Sequence, residues 1–233
     1  MQLGKSLRLR RLYEDGRALV GQLDHGREPP VSLVHSFARA KLDAVTVSPG
    51  MLERVSDELN GLAVILRLNL PFARAEQLLS VRGALDLGAE AVLLTVAIQD
   101  ASEVHSLGRV TEEGRRFGMP VIADMIGENI REQVTCASEF GADVIQLTLP
   151  GSSKDLRDAV HLAGCAIHVS PPRQEPPVLL RTISGFLDVG VQGITLLPME
   201  EHILKAVQNL VHEGIPLGDV LQLVGTFPPS QRS

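Results

Sequence analysis

The chain has 233 residues, 44% of them hydrophobic and 21% charged, with a net charge of −6. That balance supports one sizeable core and excludes a disordered chain, while no apolar run reaches the roughly 18 residues of a membrane span. With an acidic balance, no Trp and one Tyr, it lacks the basic, aromatic-studded surface that grips nucleic acid.

Taken in chain order, short β-branched apolar runs alternate with amphipathic stretches. The segment before the first strand reads as a helix closing one end; Met1 to Arg11 is basic but lacks the apolar stretch of a secretory leader. Strands are expected at Ala18–Leu23, Ala44–Val47, Ala63–Leu68, Ala91–Ala97, Val121–Met125, Val144–Leu149, Ala166–Val169 and Gly193–Leu197. Helical spacing of apolar residues runs through Glu76–Leu87, Glu103–Phe117, Ile130–Phe140, Ser152–Leu162, Val178–Val189 and Glu200–Val211, and Pro216–Val224 reads as a helix closing the other end. Three times a glycine ends a helix just before a strand: Gly88-Ala89-Glu90, Gly141-Ala142-Asp143 and Gly190-Val191-Gln192. Strands alternating with helices imply parallel pairing and right-handed crossovers, and eight such units predict a single-domain (β/α)8 TIM barrel over residues 1–233. An open doubly wound sheet would need a glycine-rich turn after the first strand, where the chain has Asp24-His25-Gly26 instead.

Residues two apart on a strand share a face. Toward the C-terminal ends of the eight strands the polar residues fall on one parity: Gln22 and Asp24, Thr46 and Ser48, Arg67 and Asn69, Thr95, Asp124, Gln146 and Thr148, His168 and Ser170, and Thr195. In a barrel the aliphatic parity faces the helices, so this polar set faces the lumen and its mouth, where active sites of the architecture sit. Asp24 and Asp124 are candidate general acids or bases, each with the alternative of an ion pair to Arg67. Arg67 has the planar fork that pairs with a carboxylate or phosphate. His168 is a candidate acid or base, or a satisfied structural histidine. Asp24, Asp124, Glu128 and His168, with His25, are also a possible divalent-metal set, although no metal-binding motif joins them and no metal is expected. Cys136 and Cys165, too few for a disulfide framework or a zinc cluster, read as core.

Six segments stand in register along the chain: Gly4-Lys5-Ser6-Leu7-Arg8-Leu9, Leu23-Asp24-His25-Gly26, Ala84-Leu85-Asp86-Leu87-Gly88-Ala89-Glu90, Leu107-Gly108-Arg109-Val110, Gly118-Met119-Pro120 and Phe140-Gly141-Ala142-Asp143-Val144. Together they resemble the archaeal-type class I aldolases of the DhnA and DeoC/LacD kind. The resemblance implies a barrel enzyme in which a lysine at the end of the sixth strand forms a Schiff base with a ketone. The matching position here is Gln146, and an amide cannot form an iminium. The family's tyrosine after the fifth strand falls near Ile126, and its phosphate-gripping glycine turns fall on Val169-Ser170-Pro171-Pro172 and Leu196-Leu197-Pro198, where proline removes N–H donors.

The expectation is therefore a divergent aldolase-like lyase or isomerase acting on a small oxo compound without a cofactor. Asp24, His168 and Asp124 would handle protons; Arg67, His25, Gln146, Thr148 and Ser170 would bind substrate. The alternatives are a catalytically inactive barrel that binds a metabolite or partner, and a metal-dependent enzyme. A cytoplasmic homo-oligomer, with no nucleic-acid or membrane partner, completes the expectation.

Overall fold

Eight parallel strands close on themselves in the computed structural model, which describes residues 3–23, 30–148 and 153–225. The first half of the chain runs α1 (Leu3–Leu12), β1 (Ala18–Gln22), α2 (Pro30–Arg39), β2 (Ala44–Val47), α3 (Pro49–Val55), β3 (Ala63–Arg67), β4 (Asn69–Leu70), β5 (Ala73–Gln77), α4 (Val81–Asp86) and β6 (Ala91–Ala97). The second half runs α5 (Ala101–Phe117), β7 (Val121–Ile126), α6 (Ile130–Glu139), β8 (Val144–Thr148), α7 (Ser153–Leu162), β9 (Ala166–Ser170), α8 (Pro176–Asp188), β10 (Gly193–Leu196), α9 (Glu201–Val211) and α10 (Leu217–Gly225). Around the barrel the order is β1-β2-β3-β6-β7-β8-β9-β10, with β10 pairing back onto β1. The eight expected strands are these eight. No helix among the described residues is long and apolar enough to cross a membrane.

The recurring glycine phrase has a physical basis at both of its ends. Gly88, Gly141 and Gly190 take φ of 78°, 77° and 96°, the left-handed conformation that ends a helix without a Cβ penalty. Two residues on, a polar side chain reaches sideways to a backbone N–H of the preceding barrel strand. Glu90 accepts from Val64, Asp143 from Val121 and Gln192 from Ile167, at 3.0, 2.9 and 3.1 Å. Asp43, ahead of β2, does the same for Leu19. Every second strand around the barrel (β2, β6, β8 and β10) is thus stapled at its N-terminal end to its predecessor, which fixes register on that side.

Two apolar clusters follow from strand alternation. The larger lies between sheet and helices and contains Val45, Leu66, Leu94, Met125, Ile145, Val169 and Ile194 with the buried faces of α2 to α9. The smaller fills the lower lumen with Val20, Ile65, Leu93, Ile122 and Val144, and α1 plugs it from below with Leu9, Leu12 and Tyr13. The expected N-terminal closing helix therefore exists. The C-terminal one does not close an end: α10 packs on the outer helices α8 and α9.

One expectation is corrected between the third and fourth barrel strands. The stretch from Glu76 reads as helical in sequence, but Ala73–Gln77 is the second arm of the antiparallel hairpin β4–β5, and the helix begins only at Val81. Two tertiary contacts override the local period. Asn69 donates from its side chain to the Thr95 carbonyl and accepts from the Thr95 N–H, at 2.8 and 2.9 Å. Arg74 pairs with the buried Glu103 of α5 at 2.9 Å.

Candidate active site at the C-terminal mouth of the barrel

Above the apolar plug, the lumen changes character within one turn of the strands. Thr46, Arg67, Thr95, Asp124, Gln146, His168 and Thr195 are all buried, and they share the parity of the lower-lumen residues on their own strands. Four of them form a hydrogen-bonded chain across the β6, β7, β8 and β10 side. Thr95 Oγ1 donates to Asp124 Oδ2 at 2.9 Å, Gln146 Nε2 donates to Asp124 Oδ1 at 3.0 Å, and Thr195 Oγ1 donates to Gln146 Oε1 at 2.9 Å. Donors on both oxygens fix the Asp124 carboxylate in place while leaving each oxygen a lone pair for a ligand. Ala123 and Met125, on the other parity of β7, belong to the helix-facing core, which aims Asp124 inward.

His168 is built differently. Its ring lies against Gly193, the residue opposite it on β10, where any Cβ would collide with the imidazole. Its Nε2 is hydrogen-bonded to the Tyr13 hydroxyl of the α1 plug at 2.7 Å, with the two rings edge to face. Burial pushes the His168 pKa down to about 4, and burial together with the charge of nearby groups pushes the Tyr13 phenol up. At neutral pH both groups are uncharged; where the phenol donates to Nε2, the imidazole carries its own proton on Nδ1. His168, expected as an acid or base or as a satisfied structural histidine, is thus anchored from below by Tyr13, with Nδ1 left unpartnered among the described residues. Tyr13 is not among the residues that strand parity singles out; being the chain's one tyrosine, next to the end of the plug helix, is its only signal in the sequence.

Three buried polar atoms of the lumen have no hydrogen-bond partner among the described residues: Thr46 Oγ1, Arg67 Nη1 and His168 Nδ1. Interiors leave few such groups, and each left unmet costs about 1–3 kcal/mol. Their combined character, one cationic donor, one hydroxyl and one N–H, is that of a binding site for an oxygen-rich, anionic or carbonyl-bearing molecule.

The remaining candidates occupy the rim or lie elsewhere. Thr148 is exposed at the end of β8, and the half-buried Ser170 beside it donates to the Thr195 carbonyl at 3.4 Å. Asp24 and His25 lie outside the described residues. Glu128 is exposed after β7 and lines a surface cleft of about 770 Å³ with Asp155, Asp158 and His161, so it is not gathered with Asp124 and His168 as a metal set would require. The described residues that do bring metal-ligand atoms within 4.8 Å of one another are Glu14, Asp43 and His212. These sit at the opposite end of the barrel, where Asp43 already serves Leu19 and His212. As for lysines, Lys5 is buried against Asp143 at 2.8 Å below β8, Lys205 pairs with Glu201 on α9, and Lys41 is exposed between α2 and β2. Cys136 and Cys165 are free thiols, half-buried against the core; burial raises the Cys165 thiol to about 11.

Two further strand-end loops shape one side of the mouth. Pro171, Pro172, Pro176, Leu179, Leu196, Leu197, Pro198, Met199 and Ile203 line a pocket of about 250 Å³ beyond β9 and β10, with Arg173, Gln174 and Glu200 also on its wall.

Known proteins resemble this chain along nearly its whole length. An uncharacterized aldolase of Saccharolobus solfataricus is 25% identical across 95% of this chain and 99% of its own. The 2-amino-3,7-dideoxy-D-threo-hept-6-ulosonate synthase 1 of Archaeoglobus fulgidus is 24% identical across 97% of both chains. Among solved structures, an archaeal fructose 1,6-bisphosphate aldolase superposes with a TM-score of 0.77 at 22% identity, covering 90% of this chain and all of its own. A fructose-bisphosphate aldolase from Slackia heliotrinireducens reaches 0.81 at 13% identity, covering 99% of this chain and 92% of its own. The model of the DeoC/LacD family aldolases matches residues 12–170, which run from the end of the plug helix through β9 and carry the whole buried polar chain except Thr195. By its closed barrel and by that match over more than half of its length, the chain belongs to the DeoC/LacD aldolase family.

Proposed function

We propose that the protein is an aldolase-like lyase or isomerase that acts on a small oxo compound by acid–base chemistry, without a Schiff base. The observation that carries this reading is a set of three lumen groups with no hydrogen-bond partner among the described residues, Thr46 Oγ1, Arg67 Nη1 and His168 Nδ1, in the same polar lumen as the fixed carboxylate of Asp124. In the cleavage of a β-hydroxy carbonyl compound, Asp124 takes the hydroxyl proton and the carbon–carbon bond breaks. Its electron pair passes into the carbonyl to give an enolate, and the lumen donors stabilise the oxyanion. The proton held by Asp124 then returns to the enolate carbon. Arg67 holds a carboxylate of the substrate, and Gln146, Thr148 and Ser170 line its path. Asp24 and His25 join the site on the strength of the family motif.

Lys5, Lys41 and Lys205 support this reading, because none of the three stands among the lumen groups. The test is borohydride treatment with pyruvate and with dihydroxyacetone phosphate, read by intact-protein mass spectrometry, beside a cleavage assay on 4-hydroxy-2-oxo acids. The expected outcome is aldehyde release without an adduct. A lysine adduct would overturn the mechanism.

A second reading, a barrel that binds such a compound without turning it over, is favoured by how completely Thr95, Asp124, Gln146 and Thr195 satisfy one another. Binding of an oxo acid with no turnover would select it. On either reading we propose a cytoplasmic homo-oligomer, which light scattering on the purified protein checks.

A further inference from the structure

We infer that the pocket beyond β9 and β10 is a subsite for an apolar alkyl or aryl tail, so that the ligand is an unphosphorylated oxo acid with a hydrophobic side chain. The inference deepens the function proposed above and rests on it for the polar head.

The pocket starts one residue beyond the polar lumen. Ser170 and Thr195 are lumen residues joined through the Thr195 carbonyl, and the residues after them, Pro171 and Leu196, are already pocket wall. A molecule whose oxo group meets the lumen groups Thr46, Arg67 and His168 would then extend its chain past the β9 and β10 strand ends towards Leu197, Pro198 and Met199. The floor is made by Leu179 of α8 and Ile203 of α9, both part of the main core, so the pocket is rigid from below. About 250 Å³ exceeds the roughly 150 Å³ of an apolar cavity that holds benzene. A phenyl ring or a branched chain of four or five carbons fits.

The same loops are ill-suited to a phosphate. Anion sites at helix starts use free backbone N–H groups and an uncancelled positive helix end. Here Pro171, Pro172 and Pro198 have no N–H, and α8 opens on Pro176 and Pro177, removing first-turn donors. The N-cap residues of α8 and α9 are Glu175 and Glu200, so each helix start already carries an acidic residue, and neither caps its helix through the side chain. Arg173 is the one cationic side chain on the pocket wall, and it is exposed.

The experiment titrates the protein calorimetrically with pyruvate, 2-oxobutyrate, 2-oxopentanoate, 4-methyl-2-oxopentanoate and phenylpyruvate, with inorganic phosphate and dihydroxyacetone phosphate as charged comparators. Affinity is expected to rise about fourfold per added methylene in the wild type and to lose that slope in Met199→Asp and Leu197→Asn. Pyruvate binding with a flat slope would overturn the tail subsite while leaving the polar head intact. Tighter binding of dihydroxyacetone phosphate than of phenylpyruvate, abolished by Arg173→Ala, would overturn it in favour of an anion site. A second readout does not depend on the head: benzyl alcohol is titrated against protein carrying ¹³C-methyl methionine, with the Met199 signal assigned through Met199→Leu. A saturable shift of that signal supports the subsite even if no oxo acid binds, and an unmoved signal overturns it.

Discussion

At the scale of the residue, the centre of the molecule is Asp124, and its two hydrogen bonds separate a structural from a chemical role. Asp124→Ala leaves Thr95 Oγ1 and Gln146 Nε2 without their acceptor in a buried site, and should cost on the order of 2–4 kcal/mol in chemical denaturation. Asp124→Asn keeps an isosteric partner, because Gln146 can turn its amide over and take its hydrogen bond from Thr195 in the reverse sense. It should stay within about 1 kcal/mol of the wild type while losing about 100- to 10,000-fold in turnover of a cleavable substrate, the contribution of one positioned acid–base group. An Asn variant that folds and retains activity would remove Asp124 from the chemistry. Arg67→Lys separates charge from fork geometry: if two-point pairing holds a carboxylate, the lysine should raise KM more than it lowers kcat.

At the scale of the element, the β4–β5 hairpin and the plug helix α1 are the two additions to the repeating unit, and each is fastened by a few buried polar groups. Asn69 carries three hydrogen bonds, two to the Thr95 backbone and one to the Arg74 carbonyl. Asn69→Ala should cost about 2 kcal/mol and speed amide exchange across Asn69–Gln77 before the barrel strands are affected. Under α1, Lys5 is 5% exposed and paired with Asp143, whose same oxygen accepts the Val121 N–H. Asp143→Ala strands a buried ammonium and should cost about 3–5 kcal/mol, whereas Lys5→Met should cost far less. Thermal melts of the two variants, run side by side, check that asymmetry. The hairpin was not legible in the sequence, because Glu76 and Gln77 continue the helical spacing that leads into α4, and the contacts of Asn69 and Arg74 that oppose it are tertiary. The eight repeating units were legible, because each has its apolar run and three of them add a glycine stop and a polar residue two positions on, all local features.

At the scale of the whole molecule, two buried histidines tie global stability to pH in opposite senses. His168 has its folded pKa lowered to about 4 by burial, below its ordinary 6.5. The unfolded chain therefore takes up the proton first, and stability falls as pH drops from 6.5 towards 4, by on the order of 3 kcal/mol. For His212, burial opposes the charged form, but the hydrogen bond and charge of Asp43 outweigh it and raise the pKa. Its contribution is present below 6.5 and is lost as pH rises through the raised folded value. Urea denaturation at pH 7.5, 6 and 5 should show decreasing stability toward acid in the wild type, a flatter profile in His168→Asn and a steeper one in His212→Asn. A His212→Asn profile that rises toward acid would mean that His168 is charged in the folded protein.

The sequence by itself determined the barrel, its eight strands and which parity faces the lumen, since these arise from local periods: a two-residue repeat along each strand and, at three helix ends, a glycine with a polar residue two positions on. The parity placed Arg67, Asp124, Gln146 and His168 in one lumen without any knowledge of contacts. Tertiary structure alone decided what each of them meets. Gln146 and Asp124 are bonded across adjacent strands, and the Thr195 hydroxyl comes from a strand 49 residues away in the chain. His168 has its ring held from below by a tyrosine 155 residues away, and burial pushes its pKa down to about 4. Glu128, near Asp124 in sequence, turns outward to a surface cleft because the chain leaves the strand at that point. The pocket of prolines and aliphatic residues forms only where two strand-end loops, some 26 residues apart, are brought side by side by β9–β10 pairing. Local pattern dictates which way a side chain points. Which groups it finds there is set by barrel closure, because the partners lie tens to more than a hundred residues apart and no period in the sequence links them.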